Sequence, residues 1–202
     1  MQRAVYHSVM VTSFAILALA ASAYAQTPAP VQTANPNANI VVEKPTYVVL
    51  PLEITVNRPA AEVWKRVGKW CDVSEWLQIA AGCQILSGNG HIGSTRSVGS
   101  EVMVGETELS YTYTQPVRAG RPYDLYHGTL EVRPLTASTS KILYTLFFDN
   151  SMLPDAAARD RNKEARTAAF TRALNNMKIL AEGGTLPPPP PPAAPAAPAP
   201  PR

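Results

Sequence analysis

The hydrophobic pattern of residues 46–182 begins as a strand and then becomes helical. Residues 47–57 are rich in β-branched side chains and alternate from Pro51 onward, which predicts a first strand. Proline has no backbone N–H to donate, so Pro51 indicates an edge strand or a bulge. Helical spacing after Pro59 and around Trp76 then predicts two short helices.

The second of these helices carries a candidate start signal. Asp72 is followed three residues later by Glu75, the spacing of a capping box, in which both side chains bond free backbone N–H groups. Apolar and polar residues then alternate in short segments bounded by Gly, Pro and Asn. These segments predict six strands at 84–87, 94–98, 101–105, 109–115, 125–133 and 140–148.

Alternation also predicts which side chains share a face, because successive side chains of a strand point to opposite sides. From His127 to Arg133 every second residue is polar, and this row is expected on the outer side. The opposite side is expected to carry Leu109, Tyr111, Tyr113, Tyr126, Gly128, Leu130, Val132, Ile142, Tyr144, Leu146 and Phe148. Three neighbouring strands thus present aromatic rows to one concave side.

From about Asp155 to Glu182 the hydrophobic period becomes 3.6 residues, which predicts one long amphipathic helix. Gly183 and Gly184 are expected to end it. Its apolar stripe consists of Phe170, Ala173, Leu174, Met177 and Ala181. We expect this stripe to lie across the sheet.

The basic residues of this helix are interspersed with Asp160 and Glu164, which predicts a solvated face, with contact to a membrane surface as the alternative. They are Arg159, Arg161, Lys163, Arg166, Arg172 and Lys178. The whole chain has a formal charge of +3, and loss of Arg3 with the first segment leaves +2 (17 basic against 15 acidic residues). This excess is too small to predict a nucleic-acid partner.

The first 25 residues have the pattern of a cleavable signal peptide. Arg3 precedes an apolar stretch that is short for a membrane span, and small residues then predict cleavage between Ala25 and Gln26. The mature protein is therefore expected to be periplasmic or secreted, without a stable membrane anchor. An uncleaved N-terminal anchor is the weaker alternative.

Two further segments are expected to be disordered and to flank a single domain at 46–184. Residues 26–45 are rich in Thr, Pro, Asn and Ala and form a predicted linker. Residues 185–202 form a Pro/Ala-rich tail, for which extended polyproline II is the expected conformation. The tail is either an unstructured extension or a contact for an envelope protein.

Six segments of the domain together resemble a known family. They are PAAEVWKRVGKWCDVSEWL, GCQILSGNGHIGSTRSV, LSYTYTQP, YHGTLEVRP and ILYTLFFDN, followed by a helix ending NMKILAE. Their order resembles the SRPBCC (START-like, Bet v 1-like) superfamily, and within it the polyketide cyclase/dehydrase and lipid-transport type family. The resemblance implies an α+β helix-grip fold, in which a curved antiparallel sheet of about seven strands wraps around a long C-terminal helix. Two short helices are expected after the first strand, and a hydrophobic ligand cavity is expected between the sheet and the long helix.

The predicted ligand-binding residues combine apolar area with a few polar tips, as small-molecule pockets do. They are Trp76, Arg96, Met103, Tyr111, Tyr113, Tyr126, Tyr144 and Phe148. For any single tyrosine, a role in the core is an equally good interpretation. Arg96 either faces outward, or joins a structural salt bridge, or turns inward toward Glu106, Glu108 or an anionic ligand head group.

The remaining reactive residues predict little chemistry. His91 falls in a turn and His127 on a polar face, without a second ligand at metal spacing, so no metal, cofactor or catalytic residue is assigned. Cys71 and Cys83 form an even pair that an oxidising compartment is expected to bridge, the alternative being two buried thiols.

These observations leave three hypotheses. The first is an exported binding or carrier protein for a hydrophobic or aromatic small molecule, such as a lipid, held between sheet and helix. The second is an enzyme of the cyclase/dehydratase kind that uses the same pocket, although no acid/base pair is evident on the inner face. The third is a non-catalytic accessory protein of an envelope complex that makes contact through its proline-rich tail.

Overall fold

The computed structural model describes residues 44–118 and 120–189. The strands are β1 (Tyr47–Val56), β2 (Ile85–Ser87), β3 (Thr95–Arg96), β4 (Val102–Thr107), β5 (Ser110–Thr114), β6 (Asp124–Pro134) and β7 (Ser140–Asp149). The helices are α1 (Ala60–Val67), α2 (Val73–Trp76) and α3 (Ala156–Ala181). The predictions for residues 1–25, and for most of 26–45 and 185–202, fall outside the described residues. Within them, no helix combines the length and apolar character that crossing a membrane requires.

The strands form one antiparallel sheet of seven strands in the order β1-β7-β6-β5-β4-β3-β2. The predicted helix-grip fold is confirmed, with both short helices after β1 and the long helix at the end. In this order β1 is an edge strand, paired on one side with β7, so Pro51 has the edge position that its missing N–H requires.

The predicted inner face is also confirmed, since buried and half-buried residues alternate along β5, β6 and β7. One position on this face depends on the absence of a side chain. A Cβ atom at Gly128 would overlap Cζ and Oη of Tyr113 on the neighbouring strand. The Tyr113 ring, only 1% exposed, therefore lies flat against the backbone of β6.

Asp155 caps the start of helix α3: its carboxylate accepts a hydrogen bond from the backbone N–H of Ala158 at 2.7 Å. Its fully buried residues are Phe170, Ala173, Leu174, Asn176, Met177 and Leu180. The predicted stripe is thus largely correct, with Ala181 only half-buried and Asn176 added. Asn176 is accommodated because its Nδ2 donates to the backbone carbonyl of Trp76 at 2.9 Å.

The burial of α3 is confined to its C-terminal half. None of residues 156–169 is fully buried, whereas six residues between 170 and 180 are. The C-terminal half therefore packs against the aromatic face of the sheet. The N-terminal half instead reaches the end of the sheet where β7 stops and the β5–β6 connection lies, an end that we call the mouth.

Two local predictions were wrong. Asp72 and Glu75 do not form a capping box: Asp72 accepts a hydrogen bond from the backbone N–H of Lys69, and Glu75 pairs with Arg66. The predicted strand 94–98 also shortens to two residues. Its first residue, Ser94, instead closes a turn, because its Oγ accepts hydrogen bonds from the backbone N–H groups of residues 89 and 90.

Cys71 and Cys83 are joined in the structure by a disulfide, with an S–S distance of 2.05 Å. The bond connects the segment before α2 to the segment before β2, so it closes a loop that contains this short helix. Closing a loop of this length stabilises the folded chain by about 3 kcal/mol in the chain-entropy model.

The close approach at Gly128 generates a stability prediction. Gly128→Ala should lower the free energy of unfolding by about 2 kcal/mol, because Tyr113 is buried and its hydroxyl is bonded to Tyr144, so the ring has no room to retreat. The control is Gly105→Ala in β4, where the nearest atom to the new Cβ, on Thr112, is 3.6 Å away. Urea unfolding measures both variants. Equal stability of the two would contradict the proposed contact.

Candidate functional site

Two arginines of the inner face lie over aromatic rings, and their electrostatic surroundings differ. Arg96 belongs to β3 and is fully buried, whereas Arg166 belongs to the N-terminal half of α3 and is half-buried. The first arginine organises the interior of the domain. The second lies at the mouth.

Arg96 forms a buried ion pair with Glu101. Its Nε donates to Oε2 of Glu101 at 2.6 Å, and its Nη2 lies 2.5 Å from the same oxygen. The tight turn between β3 and β4, in which Gly99 and Ser100 have φ values of 62° and 51°, brings the two side chains together. Arg96 therefore takes the salt-bridge role that was one of its predicted alternatives.

The predicted carboxylate partners of Arg96 were wrong. Glu106 lies beside His91 instead, with 3.0 Å between Oε1 and Nδ1, and Glu108 is exposed. The physical reason is the short turn, which selects the nearest carboxylate along the chain. The alternation of polar and apolar residues does not reveal this turn, so it does not predict Glu101 as the partner.

Further hydrogen bonds extend this pair into a chain across the domain. Nη1 of Arg96 donates to the backbone carbonyl of Trp70 at 2.5 Å. On the other side, Gln115 donates from Nε2 to Oε1 of Glu101 at 2.7 Å, and its Oε1 accepts from the hydroxyl of Tyr123 at 2.6 Å. The network thus links the α1–α2 connection to the mouth.

Aromatic rings surround the Arg96 guanidinium. Its Cζ lies 3.9 Å from the ring centroid of Trp70, 5.1 Å from that of Tyr113 and 5.7 Å from that of Tyr111. These distances are within the range of cation–π attraction. Trp70 was not among the predicted site residues, although it directly precedes a cysteine whose disulfide constrains it.

Burial controls the ionisation of these groups. It raises the pKa of the Glu101 carboxyl, and the Arg96 charge and the hydrogen bond from Gln115 oppose the rise. It also raises the pKa of the Tyr113 and Tyr144 hydroxyls well above their ordinary value. Both tyrosines are therefore neutral phenols at physiological pH.

The structure brings the predicted ligand-binding residues together, mostly in contact with one another. The hydroxyls of Tyr113 and Tyr144 are 2.9 Å apart, and the Tyr144 ring contacts Trp76 and Phe170 with centroids 6.0 and 4.8 Å away. Met103 and Tyr111 are each 2% exposed. Toward the C-terminal half of α3 the interior is thus filled by side chains, and a ligand role for these residues stays a prediction.

A backbone irregularity shapes the mouth. The register of β6 against β7 shifts between Asp124 and His127, and Leu125 has a φ of 49°, which a bulky residue rarely adopts. Because of this bulge, both Tyr123 and Tyr126 point inward, although they are three positions apart. Their ring centroids are 4.9 Å apart. Strained backbone of this kind is concentrated at functional sites.

Arg166 lies over the rings that the bulge positions. Its Cζ is 4.2 Å from the ring centroid of Tyr123, 4.8 Å from that of Phe148 and 5.1 Å from that of Tyr126. Its Nε is buried without a hydrogen-bond partner, and no carboxylate within residues 44–118 or 120–189 pairs with it. Arg166 is half-buried, where the sequence predicted a solvated face.

Other polar groups at the mouth share this lack of partners. Asn162, one turn before Arg166, has a buried Oδ1 without a hydrogen bond among the described residues, and so does Asn150 at the end of β7. We refer to Tyr123, Tyr126, Phe148, Asn162 and Arg166 as the mouth cluster. Sequence reasoning identified Tyr126 and Phe148 of this set. The helical period extended backwards from Phe170 would have identified Arg166 and Asn162, which lie four and eight residues earlier.

A surface depression of about 470 Å³ is lined in part by residues that neighbour Tyr123 along the chain. Its lining includes Pro122 and Asp124, the neighbours of Tyr123, and the exposed side chains Val117 and Met152. Arg118, Gly120, Arg121 and Leu153 complete this mouth depression. It therefore combines apolar surface with two arginine side chains.

No three His, Cys, Asp or Glu residues within the described parts of the chain are arranged to hold a metal ion. His91 is exposed beside Glu106, and Nδ1 of His127 lies 2.8 Å from the carbonyl of Leu125. Neither histidine belongs to the mouth cluster. The site that the structure defines is thus aromatic and cationic.

The comparisons with known proteins agree with this fold. The model of the family described as polyketide cyclase/dehydrase and lipid transport matches residues 48–182, which confirms the resemblance seen in the sequence. A search of the curated proteins finds no significant match.

Solved structures with the same fold come from bacteria and plants. A Thermobifida fusca protein solved by NMR is 22% identical, with 67% of this chain and 95% of that chain covered and a TM-score of 0.55. The Zhui aromatase/cyclase from Streptomyces sp. R1128 is 16% identical, with 69% and 100% covered and a TM-score of 0.54. Truncated norcoclaurine synthase from Thalictrum flavum is 14% identical, with 72% and 100% covered and a TM-score of 0.53. At such identities the likeness shows the fold alone.

The Arg96–Glu101 pair generates a second stability prediction. Glu101→Gln should lower the free energy of unfolding by about 3 kcal/mol, because it leaves a buried guanidinium without its counter-charge. The control is Glu131→Gln, which breaks the exposed pair with Arg133 and should change stability by less than about 0.5 kcal/mol. Urea unfolding compares the two. If Glu101→Gln is no more harmful than its control, the pair does not organise the interior.

Proposed function

We propose that this chain, which belongs to the polyketide cyclase/dehydrase and lipid transport family, is an exported protein that binds a hydrophobic small molecule at its mouth. The observation that carries the proposal is the mouth cluster. Three aromatic rings there meet polar groups that the described residues leave unsatisfied. Family and fold both suggest either the binding of a hydrophobic ligand or a cyclase-like use of it.

The location follows from the packing of α3. Its C-terminal half is held by the buried stripe from Phe170 to Leu180, so a ligand there would have to displace well-packed side chains. Its N-terminal half has no fully buried side chain, so less buried apolar surface holds it against the sheet. The rings of Tyr123, Tyr126 and Phe148 are 9%, 3% and 0% exposed, so a ligand reaches them only when this half of α3 moves. Apolar surface of the ligand that these rings then cover would contribute about 25 cal/mol per Å² removed from water.

A carrier role explains more of the interior than a catalytic one. A cyclase would need a side chain that takes and returns a proton next to its substrate. Tyr113 and Tyr144 are held as neutral phenols, and Glu101 is occupied by Arg96 and Gln115. Among the described residues, the inner face therefore has no unengaged acid/base pair. The cyclase-like function is the alternative from the same family.

Export is supported by the first 25 residues and by the cysteines. Arg3, the short apolar stretch and the small residues before Gln26 have the pattern of a signal peptide. The Cys71–Cys83 bond supports the same proposal, because disulfides persist in oxidising compartments. An exported protein with an apolar binding site suits the transport of a ligand across an aqueous space.

The start of the proline-rich tail favours a second candidate function, as an accessory protein of an envelope complex. Leu186 packs against the hydrophobic core, and Nε2 of Gln78 donates to the backbone carbonyl of Pro187 at 2.6 Å. The point from which the tail leaves the domain is therefore fixed, as a contact for an envelope partner requires.

Binding at the mouth predicts the effect of charge placed in the mouth depression. The double variant Val117→Asp/Met152→Asp should bind the neutral fluorophore N-phenylnaphthylamine at least about tenfold more weakly, since it puts carboxylates where apolar surface is needed. Both side chains are exposed, by 62% and 41%, so stability should be unchanged. Fluorescence titration measures the binding.

Val104→Asp is the matched control, because Val104 is 48% exposed in β4, away from the mouth. It should bind the fluorophore as the parent protein does. If the parent protein itself shows no saturable binding, the binding function is refuted. The remaining candidate is then the accessory role through the proline-rich tail. Equal affinity of the double variant and the parent would place the ligand elsewhere.

Export predicts a defined mature N-terminus. When the full chain is expressed in a Gram-negative bacterium, the product in the periplasmic fraction should begin at Gln26, because the signal peptidase removes residues 1–25. Intact mass spectrometry after alkylation without reduction should show no labelled thiol. A cytoplasmic product that keeps Met1, or one with two alkylated cysteines, is the contrary result.

A further inference from the structure

Arg166 has no counter-charge among the described residues. Its guanidinium lies 4.2 Å from the Tyr123 ring centroid and its Nε is buried, yet no carboxylate among residues 44–118 and 120–189 pairs with it. The other arginine of the inner face, Arg96, is paired with Glu101. The Arg166 side chain is half-buried and its Nε is withdrawn from water, so an anionic group of a ligand would supply the counter-charge that the described residues do not.

Asn162 extends the site along the same face of α3. It lies four residues before Arg166, the spacing that places two side chains next to each other on a helix. Its buried Oδ1 lacks a hydrogen bond. An amide rotated about its last bond presents Nδ2 at the same point, so Asn162 can donate to an anion beside the guanidinium.

The mouth depression supplies an approach for an anion. Arg118 and Arg121 line it together with a single acidic residue, Asp124, so its potential attracts negative charge. Val117 and Met152 provide exposed apolar surface along the same path. A molecule that is apolar over most of its length and anionic at one end fits both features.

We propose that Arg166 and Asn162 bind the carboxylate head of an amphipathic carboxylic acid whose apolar part lies on Tyr123, Tyr126 and Phe148. This inference rests on the proposed binding function and names the ligand class for it. A carboxylate is favoured because one planar guanidinium fork matches its two oxygens. Its single charge also balances the one unpaired cation of the mouth cluster.

The test compares oleate with oleyl alcohol, which differ only in the head group. At slightly alkaline pH, calorimetric titration of the full mature protein should show oleate binding at least about tenfold more tightly, because charge-assisted hydrogen bonds form only with the acid. Arg166→Gln should bring the two affinities within about twofold of each other, because the loss of the guanidinium removes the advantage of the acid over the alcohol.

The control is Arg172→Gln, which removes the same charge from an exposed position of α3 and should keep the preference for oleate. Arg166→Lys retains the charge but not the planar guanidinium group, so it should give an intermediate preference for oleate over oleyl alcohol. It replaces the glutamine variant in this test if that variant does not fold. Urea unfolding checks the stability of each variant.

The outcomes separate the two proposals. If the parent protein binds both molecules equally, or if Arg166→Gln keeps the preference, the head-group site is wrong and apolar binding stands. If neither molecule binds, the proposed function fails as well. Tighter binding of a long-chain alkyl phosphate than of oleate would overturn the carboxylate assignment.

Discussion

The packing of half of one helix against the aromatic face of the sheet is the constraint on which the rest of this molecule depends. Phe170, Leu174 and Met177 belong to the buried stripe of α3 and cover that face. Hydrophobic burial holds this half in place and leaves little reason for it to move. Residues 156–169 have no fully buried side chain, so the N-terminal half is attached more weakly. The same helix thus closes one end of the interior and leaves a candidate binding site at the other.

The two inner arginines show how one residue type serves two purposes. Removing a charge from water is expensive, and Arg96 is stabilised by Glu101, by the carbonyl of Trp70 and by aromatic rings. Every one of these contacts is internal, so Arg96 organises the fold. Arg166 has comparable ring contacts and no internal anion among the described residues. The two arginines thus differ in burial as well as in counter-charge, since Arg96 is fully buried and Arg166 is half-buried.

The elements and faces of the sheet could be predicted because side-chain alternation and helical period are local properties of the chain. The rows that include Tyr111, Tyr126 and Tyr144 are buried as expected. What the sequence did not reveal depends on backbone geometry. The turn that brings Glu101 to Arg96 and the bulge at Leu125 both require positive φ at residues that rarely adopt it. For the same reason alternation alone does not predict Tyr123 as an inward residue. Arg166 was assigned to the solvated surface for a different reason: its charge outweighed the helical period that relates it to Phe170.

Membership of a family that includes both cyclases and lipid carriers does not decide between catalysis and binding, but the ionisation of the interior bears on the choice. A proton-transfer mechanism needs a group whose pKa lies near the working pH and which can reach the substrate. Burial moves the pKa of Tyr113 and Tyr144 in the opposite direction. The carboxyl of Glu101 is already bonded on both oxygens, by Arg96 and Gln115. Chemistry of the cyclase kind would first have to dismantle the network that stabilises the core, whereas binding at the mouth would leave the Arg96–Glu101 pair in place and use polar groups of Arg166 and Asn162 that the described residues leave unsatisfied.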